Sequence, residues 1–166
     1  SQWGALGTSW GISRTMAQVH ALLMISPEPI STDQSMAELQ ISRGNAHTNL
    51  KELVGWGLVK IVVKKGERKE FFEAEKDVWK VFTIVLRERK RREIDPAVEL
   101  LKGCAELSKQ VKSAEGKAFH EQMNELQDFA IFASNVGESI SKLKYGPAVK
   151  FADKFLGLLP KDKSLK

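Results

Sequence analysis

The chain has almost no cysteine: Cys104 stands alone among 166 residues. That excludes a disulfide framework or a cysteine-rich metal cluster and fits a reducing cytoplasm. Long apolar runs are also missing. The longest span only a few residues, well below the ~20 that cross a bilayer, so no membrane role is expected. No secretory signal opens the sequence, which starts at Ser1, and its natural start is expected upstream. Neither an internal repeat nor a low-complexity tract occurs. His20, His47 and His120 are scattered without a Cys or carboxylate partner at ligand spacing. No metal and no cofactor is therefore expected. A Gly-rich phosphate loop, a nucleophile elbow and a paired-carboxylate signature are absent as well, which argues against an enzyme.

What is present points to a folded chain with one basic region. Hydrophobic residues make up 42% and charged residues 28%, a globular balance. Residues 42–92 hold 14 Lys and Arg against 7 Asp and Glu, a balance of +7. The rest of the chain then carries −2, since the net charge is +5. A polyanion is expected to meet that middle segment.

Local signals order the elements. Gly4, Gly7 and Gly11 punctuate the first stretch, so residues 2–8 read as the tail of a helix. Ser13 caps a second helix to about Ile25, with Met16, Val19, Leu22 and Leu23 on one face. Ser26-Pro27-Glu28-Pro29 stops it. Ser31 with Gln34 has capping-box spacing and opens a short helix to Leu39. After the turn Gln40-Ile41-Ser42, Ser42 caps a further helix that ends at Trp56-Gly57. The period then switches to that of strands. Leu58–Val63, the turn Lys64-Lys65-Gly66-Glu67 and Lys69–Glu73 form a β-hairpin. This is the order of a winged helix-turn-helix, expected over residues 10–76 as a DNA-binding domain. Residues 1–9 and 77–166 are expected to form a helical linker and dimerisation region. The fold class is mainly α with a small β-hairpin.

Helical pattern resumes at Asp77. One helix covers 78–93, and Asp95-Pro96 reads as an N-cap with a first-position proline. Ala97, Leu100, Leu101, Cys104, Leu107 and Val111 then keep a 3–4 rhythm. Phe119, Met123, Leu126, Ala130, Ala133, Gly137 and Ile140 recur at heptad spacing, and their small members permit close helix approach, so this seam is the expected homodimer interface. Phe129, Phe132, Val136 and Leu143 form a second stripe beside it. A last amphipathic segment carries Phe151, Phe155, Leu156 and Leu159.

Turning the 43–56 helix by about 100° per residue puts Ala46, Leu50, Leu53 and Val54 on a core face. Gly44, Asn45, Thr48, Lys51 and Glu52 lie opposite, Arg43 sits in the first turn, and His47 and Asn49 lie at the borders. Such a face suits a major groove. Asn45 and Thr48 reach base edges, Gly44 allows close backbone approach, Arg43 and Lys51 contact phosphate or guanine, and Ser42 and His47 at the edges belong to the same expected DNA-binding set. The hairpin tip holds Lys64, Lys65, Arg68 and Lys69, suited to tracking a DNA backbone or entering a minor groove. The run Arg87–Arg92 has two readings: flanking phosphate contact, or cations that suit a helix C-terminus. A winged helix used for protein contact in a larger assembly is the alternative reading. It calls for an apolar recognition face, which Gly44, Asn45, Thr48 and Lys51 do not provide.

Several motifs together resemble the MarR-type winged-helix regulators, most closely the GbsR branch, named for control of glycine-betaine synthesis. They are Trp10–Ala17, Ser26–Ser31, Leu39–Asn45, Trp56-Gly57-Leu58-Val59 and Gly66–Glu70. The likeness is dense over residues 3–95 and architectural beyond. It implies a dimeric transcription factor, usually a repressor, with two recognition helices in successive major grooves of a pseudopalindromic double-stranded DNA operator. It also implies base recognition by Arg43, Asn45 and Thr48, wing contact by Arg68 and a dimer made by the terminal helices. The wing is shorter than in many members and lacks their Asp-rich pattern. Peroxide-sensing members use an N-terminal cysteine, whereas Cys104 falls on an expected core face, which disfavours oxidation sensing. Trp3, Trp10, Trp79, Phe82, Phe129 and Phe132 offer rings for a cationic effector, although aromatics at helical spacing are more often core. A small molecule beside Trp79 and Phe82 is the expected effector site, acting through the tilt of helix 78–93 on the spacing of the two recognition helices.

Overall fold

The computed structural model describes residues 2–9 and 11–142, together with 144, 146, 147 and 154. The expected segment with Phe151, Phe155, Leu156 and Leu159 lies outside the described residues, as do Trp10, Leu143 and the Trp3 side chain. The chain divides into two compact units, Ser1–Ile84 and Val85–Lys166, and the division falls within one helix.

The first unit starts with α1 (Gln2–Ser9) and α2 (Arg14–Ile25). Gly7 is buried between them, and a Cβ there would lie 2.4 Å from that of Ala17. Only glycine permits so close an approach. Ser13 caps α2 by accepting the Met16 N–H at 3.0 Å. A two-residue strand β1 (Ile30–Ser31) leads into α3 (Thr32–Leu39), where Ser31 and Gln34 close both halves of the capping box. Gln40 turns the chain with φ 51°, and α4 (Arg43–Trp56) follows, ended by Gly57 at φ 82°. Strands β2 (Val59–Val62) and β3 (Phe71–Ala74) form the wing.

β1 joins this hairpin, so the sheet has three antiparallel strands in the order β1-β3-β2. Phe72 in the central strand is opposite Ile30 on one side and Ile61 on the other, and its side chain has no solvent exposure. Beneath it pack Met16, Val19 and Leu23 of α2 and Leu50 and Leu53 of α4, each 2% exposed or less. Each such side chain contributes about 1.5–3 kcal/mol by leaving water. Lys76, just beyond β3, brings its Nζ 2.6, 2.8 and 2.8 Å from the carbonyl oxygens of Leu23, Met24 and Ser26 at the end of α2. Nearby His20 is held below the ordinary imidazole range, first by burial and then by the Lys76 charge.

The second half of the chain corrects the expected helix boundary at 93–95. Helix α5 (Val78–Arg89) does not stop at residue 93 for Asp95 to cap a successor. It passes through a π-turn (Lys90–Ile94) into α6 (Asp95–Ser108). Asp95 is itself helical at φ −59°, ψ −44°, and its N–H bonds to the Lys90 carbonyl five residues back. Its carboxylate pairs with Lys90 at 2.8 Å instead of capping. The cause is Pro96, whose ring would crowd the carbonyl four residues earlier in a regular α-turn; the wider turn makes room.

Helices α6 and α7 (Ala114–Lys142) pack together in the second unit. His120 is the polar link: its Nδ1 lies 2.9 Å from the Ala105 carbonyl and 2.8 Å from the Ser108 hydroxyl. The residues buried on these helices are small, namely Ala105, Ser108, Gly116 and Ser134. The expected apolar stripe of α6 is not core. Leu100 and Leu107 are 69% and 75% exposed, and Cys104 is half-buried beside a cleft with Val111 and Phe119.

Candidate nucleic-acid interface

α4 is built from its cap upward. Ser42 Oγ accepts the Asn45 N–H at 3.3 Å and leaves the other early amides of the helix pointing outward. Ala46, Asn49, Leu50 and Leu53 are buried. Arg43, Gly44, Asn45, His47, Thr48 and Lys51 are exposed, so one continuous polar face leaves the unit on that side. Gly44 has no atom within 4 Å of where a Cβ would stand, so internal packing does not demand glycine there.

Two cations on this face already have partners. Arg43 is ion-paired with Asp33 of α3. Lys51 Nζ lies 3.1 Å from Glu70 at the foot of the wing, tying α4 to the hairpin. Both pairs are exposed, so they hold their cations only loosely and a phosphate can replace the carboxylate at small cost. In the wing, Lys64 and Lys69 lie over the Phe71 ring, 4.6 and 5.5 Å from its centroid. Lys69 also stands 3.9 Å from Glu67. Lys65 and Arg68 project from the turn with no ion pair among the described residues. All eleven residues expected at a DNA surface, Ser42 to Lys51 on α4 and Lys64 to Lys69 on the wing, thus fall in the first unit.

The remaining candidates are placed differently. Trp79 and Phe82 meet on α5 as a tilted ring pair, centroids 5.2 Å apart. Phe82 is 46% exposed and Trp79 half-buried. Phe129 and Phe132 belong to α7 in the second unit. Along the heptad seam, Phe119 and Leu126 are exposed, while Met123, Ala130, Ala133, Gly137 and Ile140 are half-buried. The Gly137 surface lies towards Leu86, 3.9 Å from where a Cβ would stand. Phe129 and Phe132 of the second stripe are 68% and 64% exposed. In the basic run, Arg89, Lys90 and Arg91 pair with Glu93, Asp95 and Glu88 of the same helical stretch.

Asn49 is the residue that the pattern reading undervalued. It is only 6% exposed, not at a border, and it bonds to Ser13 and Asn45. The available signal was its place in the Ala46–Leu50–Leu53 rhythm, four residues after another asparagine. Among the described residues no helix is long and apolar enough to span a membrane, and no trio of His, Cys, Asp or Glu forms a metal-binding group.

This is a winged helix-turn-helix followed by a helical region. No protein-family model matches the sequence. Over 85 residues the chain is 32% identical to the HTH-type transcriptional repressor GbsR of Bacillus subtilis (strain 168), an alignment covering 51% of this chain and 47% of that protein. The match thus spans about half the length of that curated relative. A crystal structure of a transcriptional regulator shares the fold at TM-score 0.65, with 18% identity, over 84% of this chain and 90% of the other. The chain is similar to GbsR- and MarR-like regulators, as its motifs are.

Proposed function

We propose that this chain is a non-enzymatic, cytoplasmic transcriptional regulator that binds double-stranded DNA in a sequence-specific manner. The observation that carries the reading is the outward polar face of α4, flanked by a basic wing in the same unit. α4 enters the major groove, where Asn45, Thr48 and His47 face bases, and Arg43 and Lys51 exchange Asp33 and Glu70 for phosphates. Lys65 and Arg68 follow the neighbouring backbone. The regulator acts as a homodimer on a pseudopalindromic operator. Exposed Leu100, Leu107, Phe129 and Phe132 support this, since apolar surface of that kind is seldom left to water. The repressor name of the Bacillus relative supports a repressing sense. A small cationic effector beside Trp79 and Phe82 is the proposed control, read by Trp79→Ala and by tryptophan fluorescence during titration with quaternary amines.

The test is a gel shift with genomic fragments at two salt concentrations. Selective retention of some fragments, weakening steeply with salt, supports the reading. No retention, or equal retention of every fragment, overturns it.

A further inference from the structure

Asn49 is the only polar side chain on the buried face of α4, and its bonding direction is fixed by its neighbours. Its Nδ2 lies 2.8 Å from the backbone carbonyl oxygen of Asn45, which can only accept. The amino group is therefore on that side, and Oδ1 is left for the Ser13 hydroxyl, 3.0 Å away. Ser13 Oγ accepts the Met16 N–H, so its own hydrogen remains to be donated to Asn49. Asn49 Nδ2 is also 2.8 Å from the side chain of Asn45, and the atom it meets must be the acceptor Oδ1. The bonds run in one direction, from Ser13 through Asn49 to Asn45. Reversing the Asn45 amide would set two amino groups against each other and leave a buried donor unpaired.

We propose that Ser13 and Asn49 are specificity-determining positioning residues. They hold Asn45 with its amino group turned to the groove, so that it selects guanine over adenine. The inference rests on the DNA-reading role proposed above. Guanine presents two acceptors, N7 and O6, in the major groove. Adenine pairs an acceptor with a donor and needs the oxygen and nitrogen of an asparagine amide together. Here Asn49 holds the Asn45 oxygen on its own side through one lone pair, which leaves the amide nitrogen as the group able to meet a base.

The experiment selects bound sequences from a randomised duplex library with the full chain and its variants. Asn45→Ala locates the contacted position as the one whose preference flattens. At that position the unmodified chain favours guanine over adenine by roughly tenfold, the size of one good base contact. Asn49→Leu keeps the branched outline of the side chain, removes both amide atoms and frees the Asn45 amide to turn, with melting curves as the check on the fold. The preference then falls below about threefold or passes to adenine. Ser13→Asp retains the cap on α2 but has no hydrogen to donate, and it relaxes the same position while melting curves confirm the fold. A motif whose base at that position is unchanged in both variants overturns this inference and leaves the proposed function standing. So does a motif in which Asn45→Ala flattens no position. Failure of the unmodified chain to enrich any motif overturns both.

Discussion

The two units differ in what fills their buried positions. In the first, large side chains fill the core: Phe72, Leu50, Leu53, Met16 and Val19 are nearly or wholly removed from water, while Ile25, Val63 and Val78 stay at the surface. Its outer helix face is short and polar. In the second, the buried residues of α6 and α7 are Ala105, Ser108, Gly116 and Ser134, while Leu107, Phe129 and Phe132 remain exposed. The first unit closes its own core. The second leaves large rings at its surface. A chemically identical substitution should therefore have very different consequences in the two places.

The largest contrast is Phe→Ala. Phe72→Ala should cost about 3–5 kcal/mol in denaturant unfolding, because it empties the middle of the sheet. Phe132→Ala should change stability by no more than about 0.5 kcal/mol in dilute solution, where its ring already meets water. Equal costs would break the comparison. Next in size is Phe132→Glu, which should shift sedimentation towards monomer and lower operator affinity by about 100-fold through lost bivalency. Thr48→Ala follows, costing roughly 1–3 kcal/mol on a preferred site and little on random DNA. Arg68→Ala should lower the salt slope of binding by about one unit. The smallest effect is a gain. Glu70→Gln releases Lys51 and should strengthen DNA binding at low salt by less than about 1 kcal/mol.

Much of the first unit was legible because its signals are local. Ser13, Ser31 with Gln34, and Ser42 each cap the helix that follows them, and capping depends on residues three positions apart. The exposed face of α4 was readable for the same reason, since rotation about one helix needs no distant partner. What escaped depends on distant contacts. Ile30–Ser31 becomes a strand only because Phe71 and Phe72 arrive beside it forty residues later. Asn49 is buried because Ser13 meets it from another helix, and the ion pairs of Arg43 and Lys51 join separate elements. The turn at 90–94 was missed for a different reason. Asp-Pro is a reliable helix opening, but here the helix widens by one residue per turn and continues.

Lys76 shows how little exposure says about how firmly a side chain is held. Its side chain is at the surface, yet all three ammonium hydrogens are spent on the carbonyls of Leu23, Met24 and Ser26. Lys76 thus works as a clasp that ties the strand end to the helix end, whereas Lys65 projects from the wing with no ion pair among the described residues. Arginine cannot take its place: a planar fork does not converge three donors on one helix terminus as a tetrahedral ammonium does.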